Sequence, residues 1–221
     1  KSSDNFLVYG GIVEGAVTGV EVIQFRADYR ANRQFGASAG LAVNAAVVAS
    51  PGQLSERNSN ENFRQFRPGA KAGYIYGRAG GVWTCRLPGS WALQTKGQIQ
   101  MGTGALLPTE QLAIGGHASV RGFGEREYLS DHGYLLSAEV RTPAMRLPMG
   151  GEFQLLGFLD HGRGWRDDPL QGGLGASDAL TGVGAGLRLQ LGKHLKLRAD
   201  LGHPLVGGKG SRAHFGISAS F

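Results

Sequence analysis

Cysteine and long hydrophobic runs are the two features that this 221-residue sequence most clearly lacks. Its single cysteine, Cys85, cannot form a disulfide within the chain. No apolar run reaches the roughly 18 residues that a membrane-spanning helix needs. If the protein lies in a membrane, it must therefore cross that membrane with strands. Proline is also scarce, at 8 residues against 38 glycines, so most of the glycines do not simply mark turns.

Signatures of catalysis and of ligand binding are missing as well. The segment at 36–40 matches Gly-x-Ser-x-Gly, but a nucleophile elbow needs a helix after its turn, and here an alternating strand follows. The Gly-Gly-Lys-Gly segment at 207–210 lacks the Ser or Thr of a phosphate-binding loop. The six histidines include no close pair at metal-ligand spacing. Asp160 and His161 could suggest the Asp–His pair of an outer-membrane protease. They are adjacent, however, and so face opposite sides of a strand, which argues against such a pair. We therefore expect no enzyme activity, no metal and no cofactor.

The charge of the chain argues against a nucleic-acid partner. The formal net charge of +6 is modest for this length. The lysines and arginines do not cluster among exposed aromatic residues, as they do in many nucleic-acid-binding surfaces. The chain begins at Lys1 without a charged and then apolar signal segment, which predicts a mature form or a part of a longer protein.

Apolar and polar residues alternate with a period of two along most of the chain, which indicates strands. Near the end, Phe215 and Ile217 share a face, and His214 and Gly216 share the other. The pattern predicts ten strands, at about 5–13, 19–31, 36–49, 69–85, 90–102, 132–143, 151–162, 180–191, 194–203 and 212–221. Most exceed the usual 5–6 residues of a soluble strand and suit a tilted transmembrane strand of roughly 9–11 residues.

The connections between these strands alternate in length. Short links are predicted at 32–35, 87–90, 144–150 and 192–193, and long ones at 50–68, 103–131, 163–179 and 204–212. Short turns at one end and long loops at the other are typical of an outer-membrane barrel. A soluble up-and-down barrel or sandwich is the alternative, in which the apolar face would form a core. Strand length, loop alternation and the terminal Phe221 favour an all-β, antiparallel transmembrane barrel whose polar and glycine face lines the lumen.

Five motifs in fixed order resemble one family, the TpsB transporters of two-partner secretion of the haemolysin-activator type. They are Glu110-x-Leu112-x-x-Gly115-Gly116, Val120-Arg121-Gly122-Phe123, Asp131-x-Gly133-Tyr134, Ser137-x-Glu139-x-Arg141 and Phe158-x-Asp160-x-Gly162. The resemblance extends over essentially the whole chain. It implies a sixteen-stranded barrel in the bacterial outer membrane, of which residues 1–221 are the C-terminal part, about the last ten strands. It also implies two periplasmic POTRA domains, and this sequence contains no segment that resembles one.

The resemblance further implies a pore that secretes a large exoprotein, such as a haemolysin, an adhesin or a contact-dependent toxin. An insertase-like assembly protein of the same superfamily would share the Val120–Phe123 motif, and a passive porin would share the barrel. These two functions stay open as alternatives. The other implied partners are outer-membrane lipid, lipopolysaccharide and the barrel-assembly machinery. That machinery is expected to recognise a C-terminal sorting signal made by Phe215, Ile217 and Phe221.

The Val120–Phe123 motif stands in the long predicted loop 103–131, and its arginine needs a partner there. The alternation places Glu139 and Asp160 on the lumenal face of neighbouring strands. A planar guanidinium suits bidentate pairing with a carboxylate. We predict that Arg121 pairs with Asp160, with Glu139 as the second candidate, and that Phe158 and Gly162 complete the contact surface. A solvated surface loop is the alternative. In a water-filled lumen such a pair is expected to contribute only about 1 kcal/mol.

Overall fold

Antiparallel strands make up most of the computed structural model, which describes residues 2–14, 20–148, 150–168 and 173–220, with the backbone alone at 2–14, 168 and 173–177. In chain order the strands are β1 (Ser2–Glu14), β2 (Glu21–Phe35), β3 (Ala39–Ser50), β4 (Tyr74–Arg86), β5 (Ala92–Gly102), β6 (Leu112–Ile114), β7 (Tyr128–Ser130), β8 (His132–Arg141), β9 (Met145–Arg146), β10 (Glu152–Asp168), β11 (Gly173–Leu191), β12 (Leu195–Val206) and β13 (Arg212–Ala219). One helix, α1 (Asn60–Phe66), lies between β3 and β4. No helix in the described ranges is long and apolar enough to cross a membrane.

Ten long strands form one sheet in nearly sequential order. The order is β1-β2-β3-β4-β5-β8-β10-β11-β12-β13, with the two-residue β9 paired to β10. Every described pairing in this sheet is antiparallel, from β1 with β2 to β12 with β13. The remaining strands, β6 and β7, pair with each other in a separate hairpin inserted between β5 and β8. The prediction of ten meandering antiparallel strands is confirmed.

The two faces of the sheet are inverted relative to a soluble protein. On the outer face large apolar side chains are exposed, among them Phe25 and Leu159. On the opposite face, here called the inner face, Glu139, Asp160 and Asp200 are buried under the loops. A soluble sandwich would bury the first set and solvate the second. Burial of the charged face and exposure of the apolar face therefore favour the membrane barrel over the soluble alternative.

Two of the predicted connections are wrong because most or all of their residues belong to long strands. Residues 163–167 are strand rather than loop. Strand β10 continues to Asp168 and β11 begins at Gly173, and the two strands pair as far as Asp168 with Gly173, beyond a bulge. Residues 32–35 also belong to a strand, since β2 runs to Phe35 and the turn follows at 36–38. The sequence predicts a loop at 163–179, but pairing with β8 and β11 keeps the described part of this segment extended. Residues 169–172 lie outside the described residues.

Candidate functional site

The loop between β5 and β8 folds against the inner face as a hairpin. Here the loop hairpin means residues 112–130, whose ends are β6 and β7. Val120 and Phe123 are buried in one apolar cluster that also contains Leu112, Ile114, Tyr128 and Leu180. Because Leu180 belongs to β11, this cluster attaches the hairpin to the wall of the sheet. The hairpin is therefore packed at a defined position on the inner face and is not a solvated surface loop.

Arg121 is held by two carboxylates of the inner face. Its Nε and Nη2 donate to the two oxygens of Asp160 at 2.7 and 3.0 Å, and its Nη1 donates to Glu139 Oε2 at 2.9 Å. The Arg121 backbone N–H adds a bond to Asp160 Oδ2 at 3.1 Å. The guanidinium also lies over the ring of Phe158, 3.5 Å from its centroid. Both predicted partners and Phe158 thus contact the same arginine.

Water has little access to this ion pair. The side chains of Arg121 and Asp160 are 6% and 1% exposed. The pair is therefore a buried one, and the expectation of a water-exposed pair is wrong. Removing one member of a buried pair costs more than removing one member of an exposed pair, because the remaining charge stays buried without its partner.

A wider charge network surrounds Arg121 on the inner face. Asp200 of β12 accepts from Arg188 Nη1 at 2.7 Å and from Arg198 Nη2 at 2.9 Å, and it lies 3.5 Å from Arg121 Nη1. Glu139 likewise pairs with two strand arginines besides Arg121. Asp160 differs, since all of its ion pairs within the described residues come from Arg121. Within the described residues, Glu139 and Asp200 keep strand arginines as partners without the loop, whereas Asp160 depends on Arg121 of the loop for its ion pair.

Glycines of the inner face let the hairpin approach the wall closely. A Cβ on Gly182 would lie 2.0 Å from the carbonyl oxygen of Arg121, and one on Gly202 would lie 2.4 Å from the backbone nitrogen of Gly122. A Cβ on Gly162 would lie 2.7 Å from Ile114 Cγ2. Gly122 itself has φ of +97°, a conformation that favours glycine. The glycines therefore form a seat for the hairpin rather than an open space.

The predicted C-terminal residues lie apart from this cluster. Phe215 and Ile217 project from the outer face of β13 and are 78% and 77% exposed. Phe221 lies outside the described residues. Asp160 and His161 point in opposite directions, as predicted: Asp160 is buried on the inner face, whereas His161 contacts Thr181 Oγ1 at 2.9 Å.

Several contacts that hold the loop were not predicted. Glu110 accepts from Tyr76 Oη at 2.5 Å through its side chain and from Arg78 Nη2 at 2.8 Å through its carbonyl. Asp131 accepts from Arg67, which belongs to the loop between β3 and β4. The sequence gives a partial indication of the Glu110 contacts, because Tyr76 and Arg78 fall on the same strand face. It gives no such indication of the contact between Arg67 and Asp131, since these residues are 64 positions apart.

Comparison with known proteins identifies the family. The model of the family described as haemolysin secretion/activation protein ShlB/FhaC/HecB matches residues 21–189. The chain belongs to this family. It is 34% identical over 116 residues to the outer membrane transporter CdiB of Escherichia coli O6:K15:H31, an alignment that covers 51% of the chain and 18% of that protein. Membership in the family makes the chain an integral β-barrel protein of the bacterial outer membrane.

A solved structure shows the same fold. CdiB from Escherichia coli superposes with a TM-score of 0.73 at 19% identity, over 99% of this chain and 42% of that one. The chain therefore spans less than half the length of these relatives. The resemblance drawn from the five motifs is confirmed at the level of the family and of the antiparallel barrel.

Proposed function

We propose that residues 1–221 form the C-terminal ten strands of a sixteen-stranded pore that secretes a large partner exoprotein across the outer membrane. The observation that carries this proposal is the loop hairpin with Val120–Phe123, which lies on the inner face and is held there by Arg121. A passive porin does not need a loop fixed to its wall by a buried ion pair. Family membership supports transport as the general role.

The polar inner face supplies the route for the exoprotein in this proposal. Arg141, Arg188 and Arg198, which pair with the buried carboxylates and stay partly exposed, present positive charge to a passing chain. The loop 103–131 either moves aside or forms part of the route. In this proposal the exoprotein is moved without covalent chemistry and without a cofactor. Folding of the exoprotein outside the cell then prevents its return.

The outer face and the C-terminal strand have separate roles in this proposal. Exposed apolar residues of the outer face contact outer-membrane lipid, including lipopolysaccharide. Phe215, Ile217 and Phe221 form the sorting signal that the barrel-assembly machinery recognises. The same signal serves any barrel that this machinery inserts, so it does not distinguish secretion from the alternatives.

The test uses the full-length protein that contains this chain, expressed with its partner exoprotein. We expect exoprotein in the medium for the parent and none after deletion of residues 103–131, with the barrel still folded. We also expect the deletion to change the ion conductance in a planar bilayer. Unchanged conductance would favour a porin. Normal secretion together with faulty assembly of other outer-membrane proteins would favour an insertase.

A further inference from the structure

A second buried ion pair closes the base of the loop hairpin. Arg67 donates to both oxygens of Asp131, with Nη2 at 2.5 Å from Oδ2. Asp131 also accepts from the backbone N–H of Leu106 at 2.8 Å and from that of Asp167 at 2.8 Å. Its carboxylate is 0% exposed. One side chain thus joins the loop 51–73, the loop 103–131 and the end of β10.

The two ends of the hairpin are tied to each other at this point. Gln100 Nε2, from β5, donates to the carbonyl of Glu110 at 3.1 Å and to the carbonyl of Asp131 at 3.1 Å. Gln111 Nε2 donates to Asp131 Oδ1 at 3.2 Å. Gln100 is itself fully buried. Residues 110–111 and 131, which flank the hairpin, are therefore fixed to one strand and to one another.

An apolar cluster packs the neighbouring loop onto the same base. Phe63 of α1 is fully buried together with Leu106 and Leu107, which come from the first part of the loop 103–131. Val48 and Tyr76 of the sheet complete the contact. Arg67 directly follows α1 as its C-terminal cap residue, so the helix places the guanidinium over Asp131. The loop 51–73 can therefore not separate from the loop 103–131 without exposing apolar surface.

The charge state of Asp131 is compatible with this arrangement. Burial by itself raises the pKa of the carboxyl group. The hydrogen bonds from Arg67 and from the Leu106 and Asp167 amides outweigh burial and hold the pKa below its usual value. The carboxylate is thus ionised at neutral pH.

We propose that Arg67 and Asp131 are positioning residues: they hold the base of the loop hairpin and so fix the place of Arg121 on the inner face. Here the base clamp means the contacts of Arg67, Gln100, Gln111 and Asp131. The clamp and the Arg121 pair lie at opposite ends of the hairpin. The consequence for secretion rests on the proposed function, whereas the clamp itself does not.

The experiment uses the full-length protein with Cys85→Ser and a reporter, Ser130→Cys, at a fully buried position of β7. The rate at which a maleimide labels the reporter is measured in outer-membrane vesicles. We expect Arg67→Ala to raise this rate about tenfold or more, because a charged bidentate contact is lost. Arg64→Ala is the matched control, since Arg64 is exposed on the same helix, and it should leave the rate unchanged.

A second variant and a second readout keep the outcome interpretable. Arg67→Lys retains the charge but loses the planar fork, so it should label at an intermediate rate. Heat-modifiable electrophoretic mobility should show a folded barrel in every variant. Equal labelling of the parent and Arg67→Ala would overturn the clamp, and so would an equal rise in Arg64→Ala. If the parent secretes nothing, the proposed function fails, and the labelling rates still test the clamp.

Discussion

At the scale of single residues, Arg121 makes contacts that few other side chains could combine. Its fork reaches both oxygens of Asp160, a third nitrogen reaches Glu139, and its flat face lies over Phe158. Breaking a buried ion pair by removing one partner costs about 3–5 kcal/mol in other proteins. Because these contacts use the planar fork and the flat face of the guanidinium, the arrangement depends on the shape of the group as well as on its charge.

The first prediction follows from that shape. Arg121→Lys keeps the positive charge, but an ammonium cannot bind Asp160 in a fork and reach Glu139 in the same position. We expect secretion to fall about tenfold or more, close to the fall in Arg121→Ala. Exoprotein in the medium is measured by immunoblot and normalised to folded barrel. Wild-type secretion by Arg121→Lys would mean that charge alone is sufficient.

The second prediction concerns the two partners as one unit. Arg121→Ala and Asp160→Ala should each impair secretion while leaving a folded barrel. The double variant should be no worse than the more affected single variant, because residues in direct contact do not act additively. Secretion and barrel folding are measured for all three variants. Full additivity of the two effects would show that the residues act separately.

At the scale of elements, the loop hairpin depends on the absence of side chains from the wall behind it. The third prediction is that Gly182→Ala displaces the hairpin, because its Cβ would lie 2.0 Å from the Arg121 carbonyl oxygen. Overpacking of this kind costs about 1–3 kcal/mol. We expect a clear loss of secretion and a higher open fraction of the pore in bilayer recordings.

The matched control is Gly157→Ala on β10. A Cβ there would lie 3.9 Å from the Gly184 carbonyl oxygen across the sheet, an ordinary van der Waals contact, and Gly157 lies on the exposed outer face. It should secrete like the parent. If Gly157→Ala and Gly182→Ala behaved alike, the effect would come from the strand backbone rather than from contact with the hairpin.

The elements differ in how far the sequence predicts them. The ten long strands follow from the alternation of apolar and polar residues, because successive side chains along a strand point in turn to the lipid and to the inner face. Alternation also places Glu139 and Asp160 on the same face, which is why the partners of Arg121 could be predicted. Helix α1 was missed although Ser59 caps it through a bond to the Asn62 amide. The base clamp was not predictable in this way, since Arg67 meets Asp131 only through tertiary packing.

At the scale of the whole molecule, the sheet order determines where backbone groups stay unpaired. Among the described residues, β1 pairs with β2 on one side and β13 pairs with β12 on one side. The far edge of each therefore presents a row of free N–H and C=O groups. In hydrocarbon each such group costs several kcal/mol, whereas a closed barrel has no free edge. The edges must be covered by further strands or by each other.

The last prediction follows from those two edges. The 221-residue chain expressed alone and refolded in detergent should aggregate or close irregularly, because ten strands shaped for the proposed sixteen-stranded barrel would have the wrong curvature to join β1 to β13. Light scattering after size-exclusion chromatography measures its mass, and heat-modifiable mobility measures its folding. The full-length protein refolded in parallel is the control and should be monodisperse. A monodisperse, heat-stable barrel from the 221 residues would show instead that these ten strands close on themselves.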